Sequence, residues 1–233
     1  MKRKYDLSYD PKDEILVTVG GSEAIDACFR AMLDRGDEII IPEPCFVSYK
    51  PCAIMAGAVP VVIDLKAENE FRLQPEELEA AITDKTKMVF LSYPNNPTGA
   101  IMEREDLEKI AKVIIEHDLF VISDEIYAEL TYGDERFVSI ASLPGMRERT
   151  VVVNGFSKAF AMTGWRLGYA AGPEPIMEQM KKVHQFAIMC SPTLSQYAGV
   201  SALRYGEEDI KIMRSEYDRR RRYLLNKFNN MGI

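Results

Sequence analysis

Short apolar runs rich in Val and Ile alternate with longer segments whose apolar residues fall at helical spacing, and the alternation persists over about three quarters of the chain. Residues 15–19, 38–41, 59–63, 88–92, 120–123, 150–153 and 167–171 read as strands. Between them, helical patterns cover 23–33, 48–56, a segment opening at Gln74-Pro75, and 104–117. Strands joined in succession through helices are expected to lie parallel, because each crossover carries the chain back to the same end of the sheet. The fold class predicted is therefore α/β: a three-layer α/β/α arrangement with a mostly parallel seven-stranded sheet. Beyond Pro173 the pattern turns helical, over 174–187, 193–204 and 207–229. No repeat or low-complexity tract divides the chain, so residues 1–233 are expected to form one large domain.

Composition narrows the function classes. Of the 233 residues, 47% are hydrophobic and 28% charged, as in ordinary globular proteins. A net charge of −7 disfavours a nucleic-acid partner. The basic cluster Arg219–Arg222 follows Glu216 and Asp218 at helical spacing, which suits a solvated, salt-bridged helix face. No apolar run reaches the roughly 20 residues of a membrane span, and Met1-Lys2-Arg3-Lys4 leads into no hydrophobic segment, so neither membrane nor secretion is expected. The four cysteines and two histidines show no metal-ligand spacing. Reduced thiols in a cytoplasmic protein are the expectation, with His117 and His184 as surface residues.

In an open α/β sheet, ligands bind beyond the carboxyl ends of the strands, so the residues following each strand are the candidates for chemistry. The first strand leads into Gly20-Gly21-Ser22-Glu23, the second into Phe46, the fourth into Asn96, the fifth into Asp124 and Tyr127, and the sixth into Ser157 and Lys158. Bare backbone N–H groups at a helix start suit a phosphate, although a plain strand-to-helix turn would look the same. Arg166 and Ser157 could complete an anion site, and Phe46 could stack on a ring or simply belong to the core. A carboxylate at Asp124, ending an apolar run, is costly to bury unless it meets a cation such as a protonated pyridine nitrogen. Lys158, just past a buried strand, could lose its proton, form a Schiff base with an aldehyde, and act as general base and acid. Asn96 and Tyr127 could hydrogen-bond a ring hydroxyl. Together these groups describe a pocket for a flat, anionic, aldehyde-bearing ring.

The motifs Asn-Asn-Pro-Thr-Gly (95–99), Ser-Asp-Glu-Ile-Tyr (123–127) and Gly-Phe-Ser-Lys-Ala-Phe-Ala-Met-Thr-Gly-Trp-Arg (155–166) resemble those of the class I/II, fold-type-I aminotransferases that depend on pyridoxal 5′-phosphate, nearest the aspartate/aromatic subgroup. The resemblance implies amino-group transfer between an amino acid and a 2-oxo acid, in a homodimer. It implies Lys158 as the Schiff-base lysine, Asp124 as the pyridine partner, and Asn96 and Tyr127 on the ring oxygen. It further implies Phe46 on the ring face, and Gly21, Ser22, Glu23, Ser157 and Arg166 at the phosphate end. Family members also carry an N-terminal segment and a smaller C-terminal domain with a substrate-gripping arginine. The present sequence is expected to be the large cofactor domain, with 207–233 a long helix leading toward that smaller domain. A lyase or decarboxylase of the same fold, or a fragment that binds cofactor without turnover, shares every cofactor contact and remains an alternative.

Overall fold

The computed structural model describes residues 1–133 and 137–232, with the backbone alone at Lys2 and Arg3. In chain order the elements are α1 (Lys2–Tyr5), β1 (Ile15–Thr18), α2 (Gly20–Met32), β2 (Glu38–Glu43), α3 (Tyr49–Met55), β3 (Val59–Asp64), α4 (Pro75–Ala81), β4 (Thr86–Ser92), α5 (Arg104–Glu116), β5 (Phe120–Asp124), β6 (Thr150–Gly155), β7 (Gly168–Ala171), α6 (Glu174–Ala187), α7 (Thr193–Tyr205) and α8 (Glu207–Met231). The strands form one seven-stranded sheet in the order β1-β7-β6-β5-β4-β2-β3. Pairings among β2 to β6 are parallel, while β7 runs antiparallel to both its neighbours, β1 and β6. Two reversals cancel, so β1 points the same way as β6. The ends of β1, β4, β5 and β6 consequently open on one edge.

Side chains of a strand alternate between faces, and in a sheet covered on both sides each face is apolar. Ile39 and Ile41, Met88 and Phe90, and Ile122 meet Ile25, Phe29, Ala53 and Met177 from α2, α3 and α6 on one side. Ile40, Val89, Leu91 and Val121 meet Leu78, Leu107, Ile110 and Ile114 from α4 and α5 on the other. This is the three-layer arrangement expected from the sequence. β6 is buried along its whole length, which is why its sequence lacks the polar alternation of a half-exposed strand.

Three local features differ from the sequence expectation. α2 starts at Gly20 rather than Glu23, because the Glu23 carboxylate reaches back to accept the Val19 backbone N–H and so supports an extra turn. Residues 1–14, to which the sequence pattern assigned no element, include α1 and pack against the domain: Leu7 is buried, and Tyr5 donates to Glu129 Oε1 at 2.5 Å. His184 is buried rather than on the surface, whereas His117 is exposed, 2.8 Å from Glu79 Oε1. The basic cluster of α8 behaves as expected. Arg219 and Arg220 bind Glu216, holding its carboxyl at about 2, and Arg221 and Arg222 bind Asp218.

One close approach fixes how the sheet meets the edge. A Cβ on Gly168 of β7 would lie 2.6 Å from the Gly20 carbonyl carbon and 2.7 Å from Gly21 N. Only a hydrogen fits between β7 and the start of α2. Gly168→Ala is therefore expected to cost about 1–3 kcal/mol by forced displacement, seen as a lower urea midpoint with an unchanged slope.

Candidate active site

Gly21, Ser22, Phe46, Asn96, Asp124, Tyr127, Ser157, Lys158 and Arg166 line one cleft of about 230 Å³ at this edge, joined by Ile25, Tyr49, Ile126 and Thr163. Residues from the ends of five separate segments thus converge, which the parallel register of β4, β5 and β6 makes possible. A second cleft, of about 760 Å³, shares Asn96, Tyr127, Ser157, Lys158 and Thr163 and extends to Tyr132, Tyr217 and Arg221. Lys158 thus stands where the two meet.

Asp124 is the most enclosed charge of the site. It closes β5 beside Ser92 of β4 and is buried. Its Oδ2 accepts from the Tyr49 hydroxyl at 2.9 Å and its Oδ1 from the Ile126 N–H at 3.1 Å. Tyr49 spends its one proton on Asp124, so Ser92 Oγ, 3.1 Å away, donates to the tyrosine oxygen. Burial raises the Asp124 pKa, and the bonds from Tyr49 and Ile126 and the positive charge of Lys158 offset this only in part. Burial and the adjacent Asp124 push the Tyr49 phenol upward as well.

Lys158 is half-buried, its Nζ 5.6 Å from the centre of the Tyr127 ring. The loop that carries it is closed by one of its own side chains, Thr163 Oγ1 donating to the Ser157 carbonyl at 3.0 Å. Arg166 takes a left-handed conformation (φ 50°), and its Nη1 donates to the Thr163 carbonyl at 3.0 Å. Its guanidinium lies over Gly20, where a Cβ would come within 2.5 Å of Nη2. Gly20 itself has φ +74°, which glycine adopts without strain. N–H groups at the start of α2, the Ser157 hydroxyl and this guanidinium are together the groups of the cleft that could hold an anion.

Asn96 reaches the cleft because Asn95 takes over the turn. Asn95 Oδ1 accepts from Thr98 N at 3.2 Å and from Thr98 Oγ1 at 2.9 Å, and its Nδ2 donates to the Pro44 carbonyl at 3.2 Å. Phe46, 41% exposed, forms the opposite wall and meets Tyr49 edge-on at 5.8 Å. Glu23, expected at the anion end, is not among the residues lining the cleft. Its carboxylate turns back to Val19 N–H and to His184 Nδ1 at 2.5 Å. The sequence reading missed Tyr49, although its place three residues after Phe46, at the start of a helix, marks it as an aromatic of the same wall.

This combination could supply an amine to attack a carbonyl or move a proton, a buried acid to meet a cation, and donors for an anion, all on one cleft. The chain also matches the family described as aminotransferase class I and II over residues 1–233. It is 47% identical over 235 residues to an aspartate aminotransferase of Pyrococcus abyssi and 44% identical over 234 residues to aromatic-amino-acid aminotransferase 2 of Thermococcus litoralis, covering 100% of the present chain and 60% of each relative. Among solved structures, the aromatic aminotransferase of Pyrococcus horikoshii superposes with a TM-score of 0.96 at 47% identity, covering 99% of this chain and 62% of that one. The chain belongs to the class I and II aminotransferases. It spans about 60% of the length of the relatives it matches.

Behind Asp124 lies a second enclosed carboxyl. Ser139 and Ser123 donate to Glu125 Oε1 at 2.5 and 3.1 Å, while Oε2 is buried without a hydrogen-bond partner among the described residues. Burial pushes the Glu125 pKa from 4.5 up to about 8. The folded state then holds a proton that the unfolded state releases, so stability falls as pH rises from 4.5 to about 8 and levels off above. Urea melts across that range should show the decline, and Glu125→Gln, neutral throughout, should flatten it.

Proposed function

We propose that the chain binds pyridoxal 5′-phosphate and transfers amino groups between α-amino acids and 2-oxo acids. The observation that carries this reading is the convergence of Lys158, Asp124 and the Gly20-Gly21 turn with Arg166 on one cleft. Each feature suits one part of the cofactor. The N–H groups of Gly21 and Ser22, the Ser157 hydroxyl and Arg166 would hold the phosphate. Asn96 and Tyr127 would donate to the ring oxygen, and Phe46 would cover one ring face. Asp124 would hold the proton on the ring nitrogen. A cation opposite this carboxylate offsets the burial that otherwise raises its pKa.

When bound, the cofactor supplies an aldehyde carbon that takes up amino groups and a ring that draws electrons from the substrate α-carbon. Among the described residues Lys158 is the one lysine lining either cleft, so it would be the residue to anchor the aldehyde. The same amine is the base that takes the substrate α-proton and the acid that returns it one position away. The larger cleft beyond Lys158 is the approach for substrate. Relatives named for aspartate and for aromatic amino acids share the α-amino acid as the common substrate class. No described helix is long and apolar enough to cross a membrane. Phe186, Met189, Leu194 and Tyr197 are exposed near the end of α6 and along α7, an apolar surface that would suit a homodimer.

Incubation with pyridoxal 5′-phosphate followed by borohydride should add the mass of the reduced cofactor to the peptide containing Lys158 and should fail in Lys158→Ala. No labelling at Lys158 would sink the reading. Release of ammonia or carbon dioxide from added amino acids, instead of a 2-oxo acid, would point to a lyase or decarboxylase. Asp124→Ala should still be labelled at Lys158, yet lose α-proton exchange of a bound amino acid by about two orders of magnitude, the usual scale for removing one aligned electrostatic partner. Near-native exchange in that variant would contradict the role given to Asp124.

A further inference from the structure

The anion grip is supported from behind by a pair that touches neither cleft. Glu23 lies in the first turn of α2 and His184 in the last turn of α6, with side chains 11% and 10% exposed. His184 Nδ1 is 2.5 Å from Glu23 Oε1, and Glu23 Oε2 accepts the N–H of Val19, the residue before Gly20. A carboxylate only accepts hydrogen bonds, so Nδ1 carries the proton. Thr18 Oγ1 adds a bond to the Gly20 carbonyl at 2.9 Å. The backbone of the turn is thereby tied through one carboxylate to a different helix.

The location of this carboxylate makes the tie consequential. The N-terminus of a helix attracts negative charge, whether from a ligand or from the chain's own acids. Ser22, which lines the cleft, is the immediate neighbour of Glu23. A free carboxylate here could swing onto the N–H groups of the first turn and compete with a bound phosphate. Held between His184 and Val19, it instead spends both oxygens on the side away from the cleft.

We infer that Glu23 and His184 are a positioning pair for the phosphate-binding turn: His184 keeps the Glu23 charge off the anion grip while Glu23 fixes the backbone before Gly20. The inference rests on the reading of that turn as the phosphate site. It predicts an effect that depends on the ligand's phosphate and not on its ring.

The test compares pyridoxal 5′-phosphate with pyridoxal, which lacks the phosphate, by fluorescence titration of the 233-residue chain. Inorganic phosphate serves as a competitor. In His184→Leu, affinity for pyridoxal 5′-phosphate and competition by inorganic phosphate should fall about tenfold or more, with pyridoxal changed less than about twofold, the scale of one charge-assisted contact. Adding Glu23→Gln should recover most of the loss, since the amide is uncharged and its oxygen still accepts from Val19 N–H. A purely structural role predicts equal weakening of both ligands and no recovery. That result, or unchanged discrimination in a folded variant, would overturn the inference. Should His184→Leu fail to fold, His184→Asn, which keeps a donor, gives the same comparison with a smaller phosphate-selective loss. Wild-type protein that binds the two ligands alike would instead overturn the phosphate assignment itself.

Discussion

A carboxylate buried at the end of a central strand is the constraint on which this edge of the molecule depends. Among the described residues, Asp124 loses hydration and regains a phenol and one backbone N–H from its neighbours, with Lys158 farther off. Burying a charge so thinly compensated is unfavourable, so the surroundings must be accurate. The parallel register brings Ser92 beside Asp124, and α3 begins where its first residue, Tyr49, can bridge the two. The Tyr49 ring packs at 4.1 Å on Phe90, two residues back along β4. The hydrogen bond to the acid is thus anchored in the hydrophobic core, and its geometry is as rigid as the packing behind it.

The same economy explains what could be read from the sequence. The central strands were legible because strands covered on both faces leave unbroken apolar runs, as in Ile39-Ile40-Ile41 and Val151-Val152-Val153, and the partly exposed edge strands β1 and β3 were legible from their Val and Ile content. Strand ends were legible too, because Asp124 closes such a run and Asn96 and Lys158 follow one within a few residues. Local pattern could not report contacts between distant segments. His184 meets Glu23 across 161 residues, and nothing near either in sequence reveals it. Glu23 looked like part of the anion site because it shares the motif with Gly21 and Ser22, yet its side chain turns the other way. Tyr49 was hidden similarly, its partner being 75 residues onward. The early start of α2 follows from the same carboxylate, since a reach-back from Glu23 to Val19 is a side-chain event that backbone propensity does not encode.

The two halves of the cleft are also mechanically linked. Gly20 admits the Arg166 guanidinium only because it lacks a Cβ, and Gly168 admits the Gly20-Gly21 backbone for the same reason. Arg166 and Gly168 both belong to the chain that returns from the Lys158 loop into β7. A shift in that return segment must therefore move the Gly20-Gly21 turn and the lysine together. Separate strands could drift apart by small changes in twist, and a ligand held at one end would then miss the amine at the other. Bringing the glycine turn into van der Waals contact with the lysine segment removes that freedom. Short-range repulsion at Gly168 sets how near the glycine turn can come, and the β1–β7 and β6–β7 ladders, which pair Gly168 with Thr18 and with Gly155, keep the two from separating.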